Sequence, residues 1–279
     1  MNKVNENSPK QKFSNRDLGL TILDEINAHK RLEVEAQKIK VSVEELKQYP
    51  AYQKTVPSFK KFLLNPNKSG IIAEHKRKSP SKGLINGKVK LKDVVTAYEK
   101  AGVSAVSVLT DSFYFGGSLE DLKEATSLLS IPVLRKDFII DEYQIHEAKA
   151  NGAAIILLIA ASLTFEEVDR FAQLAHQLGM EVLFEIHNKD ELQKVSPFVD
   201  VVGVNNRNLK TFEVDINISK KLAELIPNQF IKISESGISD PSTVKELKTY
   251  DFQGFLMGEN FMKETDPGIA CQRFSAEIK

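Results

Sequence analysis

From Gly70 onward, short apolar runs alternate with amphipathic segments eight times, and this repeat restricts the fold more than any other feature of the chain. The runs are Ile71 to Lys76, Ala105 to Thr110, Val133 to Lys136, Ala154 to Ile159, Val182 to Ile186, Val201 to Asn205, Phe230 to Glu235 and Gly254 to Gly258. Each is too short for a stable helix, and strands that alternate with helices assemble into a parallel sheet. The intervening segments carry helix ends. Gly102, Gly152 and Gly179 stand where a left-handed residue stops a helix, Thr164 with Glu167 forms a capping box, and Asp240-Pro241 and Asp266-Pro267 place an N-cap before a proline. Eight units close a barrel, whereas five or six would leave an open sheet. No Gly-x-Gly-x-x-Gly follows the first run to indicate a dinucleotide site.

The expected fold is therefore α/β, a single (β/α)8 (TIM) barrel, and the 279 residues suit the roughly 250 that such a barrel occupies. One domain is expected over 1–279, of which about 1–66 is an N-terminal helical extension. In that extension Thr21 with Asp24 opens an amphipathic helix running towards Ile39. Ser42 with Glu45 starts a short helix that ends before Pro50, Pro57 begins a further short segment, and Asn65-Pro66-Asn67 is a turn.

Thirty-eight Lys and Arg balance thirty-eight Asp and Glu, so no long-range field favours nucleic acid or an anionic membrane surface, and any anion site must be local. The lone Cys271 has no disulfide partner within the chain and reads as inert. Met1 to Lys12 is polar and lacks an apolar signal core, and the longest apolar run, Ala153 to Ala161, is too short to span a bilayer. These features predict a soluble, cytoplasmic protein.

In a (β/α)8 barrel the chemistry sits where the strands end, so the informative residues are polar ones that finish apolar runs. Glu74-His75-Lys76 ends the first run, Lys136-Asp137 the third, Glu185 lies in the fifth, Asn205 ends the sixth and Glu235-Ser236-Gly237 the seventh. Alternation along a strand puts Glu74 and Lys76 on one face and His75 on the other. Each of these residues alone is equally readable as a rim residue in a solvated ion pair. Three carboxylates and two lysines at one mouth would be costly to desolvate without a purpose, and this favours function.

Ser236-Gly237 and Gly258-Glu259, after the seventh and eighth runs, suggest a phosphate site built on backbone N–H groups. The polar loop Arg77 to Lys88 is long enough to act as a lid or to be a plain surface loop. His29, His146 and His176 read as surface or packing residues without metal-ligand spacing, so no metal is called for. For His187, two residues past Glu185, a structural role is the expectation over a site role.

These residues resemble the indole-3-glycerol phosphate synthase family. Ala73-Glu74-His75-Lys76-Arg77-Lys78-Ser79-Pro80-Ser81-Lys82-Gly83 looks like that family's first-strand signature, and the likeness continues through Phe115-Gly116-Gly117-Ser118, Leu134-Arg135-Lys136-Asp137-Phe138, Glu185-Ile186-His187, Asn205-Asn206-Arg207-Asn208-Leu209 and Ser234-Glu235-Ser236-Gly237-Ile238. It runs in order from Leu20 on. The residues before Leu20 carry no pattern of the family.

The resemblance implies ring closure of 1-(2-carboxyphenylamino)-1-deoxyribulose 5-phosphate to indole-3-glycerol phosphate, with loss of carbon dioxide and water and without a cofactor. It implies Lys136 as general acid, Glu185 as base for the dehydration, Lys76 as holder of the substrate carboxylate and a second acid, and Glu74 as the residue that positions both lysines. It further implies that Asn205, Arg207 and Glu235 orient the anilino part and that Phe115 and Leu157 pack on its ring. Ser79 and the backbone around Ser236, Gly237, Gly258 and Glu259 would bind the phosphate, with the Glu259 carboxylate pointing away. Association with other enzymes of the tryptophan pathway is allowed by the same resemblance. Competing readings are phosphoribosylanthranilate isomerase, a Schiff-base aldolase using Lys136 or Lys76, and a catalytically silent barrel that only binds a partner.

Overall fold

A computed structural model describes residues 21–278; the polar first twenty residues and Lys279 lie outside the described residues. The eight apolar runs form eight parallel strands, β1 (Ile71–His75), β2 (Ala105–Leu109), β3 (Val133–Lys136), β4 (Ile155–Ile159), β5 (Glu181–Ile186), β6 (Val201–Asn205), β7 (Ile231–Glu235) and β8 (Phe252–Met257). Each pairs with its successor, and β1 pairs with both β2 and β8, so the sheet closes on itself. Observed strand ends lie within one or two residues of the sequence reading. The exception worth a reason is β8, which starts at Phe252 rather than Gly254 because an irregularity between those two residues admits an extra pairing with β7.

Side-chain alternation divides the core in two. One residue set, including Ile72, Leu134, Ile155, Leu157, Leu183, Val201, Ile233 and Leu256, fills the barrel interior. The alternate set, including Ile71, Val106, Val133, Ile156, Phe184, Val202 and Phe255, faces the surrounding helices. Continued one step further, the same alternation sends Glu74, Lys136, Glu185 and Glu235 inward at the top of the barrel and His75 outward.

The helices begin as their sequences dictate. In α1 (Ile22–Lys40) and α2 (Val43–Leu46), Thr21 and Ser42 each complete a capping box, as Thr164 does for α7 (Phe165–Gln177). Gly102, Gly152 and Gly179 adopt φ near +80° after their helices, a conformation in which a Cβ would be strained.

The extension wraps the barrel from end to end. Between α1 and the barrel top, Ile22, Leu23 and Ile26 point at the cavity described below. Along the side, Leu46 and Tyr52 pack with Tyr143 and Ala150 of α6 (Glu142–Ala150). At the bottom, Phe59 and Leu63 of α3 (Phe59–Leu63) join the interior core and plug it. Glu181 accepts from Ser58 Oγ and from the Lys60 N–H, and Lys60 Nζ reaches Asp200 at 2.6 Å, which fixes the plug to the starts of β5 and β6.

α1 is also tied to the barrel by charge. Lys30, only 2% exposed, lies 2.9 Å from Asp111 and 3.0 Å from Asp137, and pairs with Glu33 on its own helix at 2.7 Å. Asp137 in turn meets Arg135, which is buried against Glu147. A buried ammonium with carboxylate partners on several sides offsets much of its desolvation, and removing one partner would leave an uncompensated charge.

Candidate active site

The C-terminal strand ends open into a cavity of about 670 Å³. All fourteen residues singled out from the sequence line it: Glu74, Lys76, Ser79, Phe115, Lys136, Leu157, Glu185, Asn205, Arg207, Glu235, Ser236, Gly237, Gly258 and Glu259.

At its floor a single ammonium is ringed by carboxylates. Lys136 Nζ lies 3.6 Å from Glu185 Oε2, 3.6 Å from Glu235 Oε2 and 3.9 Å from Glu74 Oε2. Glu74 uses its other oxygen to bind Lys76 Nζ at 2.7 Å. The three carboxylates are each 3% exposed or less, so water does little to separate their charges. Burial alone would push the Lys136 ammonium towards neutrality, but Glu185, Glu235 and Glu74 together outweigh it and hold the proton firmly on the amine. Glu74 stays below the usual carboxylate range, since Lys76 and Lys136 override its burial.

Glu185 and Glu235 share one problem and resolve it in opposite directions. Burial and the neighbouring Glu185 charge raise Glu235 to about 8, and both its oxygens lack a hydrogen-bond partner among the described residues. Glu185 is held well below the usual range: its burial is overcome by Lys136, then by His187 and Asn205. The two carboxyls are thus driven apart, Glu235 towards holding a proton and Glu185 towards staying ionised. With that proton in place, Glu74 and Glu185 balance Lys76 and Lys136.

Two glycines make room for these carboxylates. A Cβ on Gly203, which β6 places in register with Glu185, would overlap Glu235 Oε1. One on Gly258 would approach Glu74 Oε1 to 2.7 Å and Glu74 Cβ to 2.9 Å. Gly258 was read from sequence for its approach to phosphate; its lack of a side chain equally serves Glu74.

Where β7 and β8 end, Ser236, Gly237, Gly258 and Glu259 line the cavity, together with Ser79 from the loop after β1. Ser236 and Gly237 both have positive φ, +67° and +77°, and such strain in a non-glycine residue is characteristic of functional turns. Gly237's missing Cβ leaves space for Val214, which pairs with Arg207 and so closes the loop after β6 over this end. The Glu259 carboxylate lies 3.7 Å from Lys82 Nζ and 3.8 Å from Arg207, cations of two other loops that also line the cavity.

Sequence reasoning missed several lining residues: Ile22, Leu23 and Ile26 from α1, Phe138, and the cations Lys82 and Lys263. Lys82 stood within the first-strand signature, but nothing local indicated its direction. Phe138 packs beside Phe115, with ring centroids 6.0 Å apart. The loop Arg77 to Lys88 is ordered as a two-residue hairpin, Lys78–Ser79 against Gly83–Leu84, anchored where Arg77 grips Asp121 with both terminal nitrogens. His29 packs on Phe113, His146 meets the Tyr52 hydroxyl and His176 meets Asp200. His187 lies beside Glu185, with Nε2 3.3 Å from Oε1. Cys271 is buried, and burial raises its thiol to about 12.

Among the described residues no group of three or more His, Cys, Asp or Glu side chains is arranged to hold a metal ion, and no helix is long and apolar enough to cross a membrane.

Comparison with known proteins places this geometry in a family. The family profile described as indole-3-glycerol phosphate synthase matches residues 23–274. An indole-3-glycerol phosphate synthase of Bacteroides thetaiotaomicron is 48% identical over 258 residues, covering 92% of this chain and 99% of the relative. One from Neisseria meningitidis serogroup B is 44% identical over 249 residues, covering 88% and 95%. Among solved structures, 3-hexulose-6-phosphate synthase from Salmonella typhimurium aligns with a TM-score of 0.60 at 12% identity, covering 75% of this chain and 98% of that one, a likeness of fold alone. The matched region takes in all eight strands and every carboxylate and lysine at the cavity floor, and the chain belongs to the indole-3-glycerol phosphate synthase family.

Proposed function

We propose that this chain converts 1-(2-carboxyphenylamino)-1-deoxyribulose 5-phosphate to indole-3-glycerol phosphate, as a carboxy-lyase of tryptophan biosynthesis. The observation that carries the reading is the Lys136 ammonium, buried among three carboxylates at the floor of a cavity whose far end is made of two glycine-bearing strand ends. Lys136 donates its proton to the ketone oxygen as the carboxylate-bearing ring carbon attacks the carbonyl carbon. Being held as ammonium, it always has the proton to give. The transfer becomes favourable only as the oxygen turns basic, so the interaction belongs to the transition state.

Loss of carbon dioxide then restores aromaticity, and loss of water completes the pyrrole ring. Glu185, held ionised, accepts the proton released in this last step. Lys76, oriented by Glu74, holds the substrate carboxylate and serves as a second acid. Protonated Glu235, with Asn205 and Arg207, orients the anilino part, while Phe115 and Leu157 provide the apolar walls. The phosphate occupies the end formed by Ser79, Ser236, Gly237, Gly258 and the Glu259 backbone. The reaction balances as substrate to product, carbon dioxide and water, and requires neither oxidant nor reductant.

The extension and barrel act as one domain in this reading, since α1 supplies part of the cavity wall. A biosynthetic role of this kind is consistent with cytoplasmic residence and leaves room for association with other enzymes of the pathway. The test is to mix purified protein with the carboxyphenylamino substrate and follow product fluorescence, alongside Lys136→Met. Turnover that is abolished by the substitution, with KM for residual activity little changed, is the expected result. Folded wild-type protein that forms no product would overturn the reading.

A further inference from the structure

His187 lies two residues beyond Glu185, on the same face of the chain as it leaves β5, and its ring is 11% exposed. Its Nδ1 is hydrogen-bonded to Glu191 Oε2 at 3.3 Å, and its Nε2, otherwise without a hydrogen-bond partner among the described residues, is 3.3 Å from Glu185 Oε1, a contact of charge rather than of hydrogen-bond alignment. Glu191 belongs to the 3-10 turn Lys189–Lys194 and is itself pinned. Its Oε2 accepts the His187 backbone N–H at 2.7 Å, and its Oε1 accepts from Asn188 Nδ2 at 2.9 Å.

An imidazole with a carboxylate at each nitrogen is constrained by its inventory of protons. A neutral ring has one N–H and one lone pair. Whichever nitrogen carries the N–H, the lone pair of a neutral ring faces a carboxylate oxygen at 3.3 Å, Glu185 on one side or Glu191 on the other. The conflict disappears if the ring carries both protons, or if one of the carboxylates carries one. Lys136 opposite Glu185 disfavours the second arrangement there, and the two N–H groups that Glu191 accepts disfavour it at Glu191.

We propose, on the basis of the reaction assigned above, that His187 is a positioning residue: an imidazolium clamped between Glu185 and Glu191 fixes the Glu185 carboxylate at the cavity floor and keeps the proton shared with Glu235 on Glu235. The charged groups that bear on this arrangement come from four strands and a turn. Glu185 faces Lys136 of β3, Glu235 of β7 and Glu74 of β1, with the neutral Asn205 of β6 beside it; the His187 ring faces Glu185 and Glu191. Burial works against the imidazolium, but the two carboxylates outweigh it and hold the ring protonated up to about 10. Glu185 thus has a cation on each side, Lys136 towards the substrate and His187 behind, while Glu235 has only Lys136. This asymmetry separates two otherwise similar carboxylates into a base and a proton carrier.

The test has two parts, and the first needs no turnover. Long-range nitrogen NMR of the unliganded wild-type enzyme, with the His187 signals assigned by their loss in His187→Gln, should show both ring nitrogens protonated at pH 7.5 and remaining so to pH 9. In Glu191→Gln the ring should titrate at lower pH. A neutral ring at pH 7.5 overturns the proposal.

The second part is the pH dependence of kcat. Removing the positive charge raises the Glu185 carboxyl, so in His187→Gln the acid limb of kcat should move upward by about one pH unit or more. At pH 7 Glu185 stays ionised after a displacement of that size, so any fall in kcat there reports lost positioning of its carboxylate, and should be about 10-fold with KM within threefold of wild type. A fall in kcat with an unmoved acid limb identifies a packing role and overturns the proposal. Should His187→Gln not fold, Glu191→Gln must show the same upward displacement in smaller measure, and an unmoved limb there counts equally against it. An inactive wild type would refute the assigned reaction through the product assay, while the NMR result would still decide the state of the ring.

Discussion

Replacing Gly203 with alanine places one methyl group where the structure has no space for it. The added Cβ would overlap Glu235 Oε1 and sit 3.0 Å from Leu183 Cδ1, and β6 holds it beside Glu185. The leucine and the strands are packed on all sides, so the flexible end of Glu235 must give way. Restoring ordinary carbon-to-oxygen contact requires the carboxyl to withdraw by roughly 1 Å. Glu235 starts 3.6 Å from Lys136, so a movement of that size breaks the arrangement in which Glu235 carries the pair's proton. A misplacement of about 1 Å costs on the order of 10²-fold in rate. Overpacking of this kind costs about 1 to 3 kcal/mol in stability. The expected result for Gly203→Ala is a folded enzyme whose kcat, followed by product fluorescence, is about 100-fold lower, with a melting temperature a few degrees below wild type. The same methyl introduced into a Glu235→Ala background meets no carboxyl, so there its stability cost should largely vanish. Turnover within threefold of wild type, or an undiminished stability cost in the double variant, would refute the argument that Gly203 exists to accommodate Glu235.

Lys30→Met removes the ammonium that Asp111 and Asp137 share, leaving buried carboxylates unpaired, and urea denaturation should register a loss of about 3 to 5 kcal/mol; a loss below about 1 kcal/mol would show the network to be relaxed or hydrated. Glu259→Gln frees Lys82 and Arg207 for the substrate phosphate, so inorganic phosphate should inhibit about two- to fivefold more strongly at low salt, with the gain shrinking as salt is added; weaker inhibition would mean that Glu259 organises the cations rather than competing for them. Glu235 is raised in the folded protein to about 8 from a carboxylate's ordinary value near 4.5. It therefore favours folding most at acid pH and progressively less as pH rises through 8. Melting temperatures between pH 6 and 9 should accordingly fall more steeply for wild type than for Glu235→Gln, and parallel curves would contradict the assignment.

The barrel and the charged floor of its cavity were legible because alternation along a strand is a strict rule. Once Ile72 points inward, Glu74 and Lys76 follow, and His75 must face the helices. The same rule placed Glu185 and, two residues on, His187; the sequence carried that signal, but not the arrival of Glu191 from the following turn. What remained hidden depends on meetings between distant segments. Ile22, Leu23 and Ile26 read only as the apolar face of a helix, and an amphipathic pattern does not say what it will cover. Lys30 looked like any helical lysine, since its burial is decided by Asp111 and Asp137. Nor did the sequence show that Lys82 and Arg207, on two other loops, would come within 4 Å of the Glu259 carboxylate.

The Lys30 network also bears on the order in which the protein is made. α1 leaves the ribosome before β2 and β3, and Lys30 waits for partners that follow it by roughly 80 to 110 residues, which at about 5 to 20 residues per second is roughly 4 to 20 seconds of synthesis. During that interval the ammonium has no carboxylates from the barrel to offset its desolvation, so α1 remains in water although its cap is already complete. Its docking is expected to wait on Asp111 and Asp137, so that the first helix among the described residues takes its place late. Ribosome-stalled chains ending before Asp137 should therefore leave α1 open to limited proteolysis, and chains extending through the completed barrel should protect it.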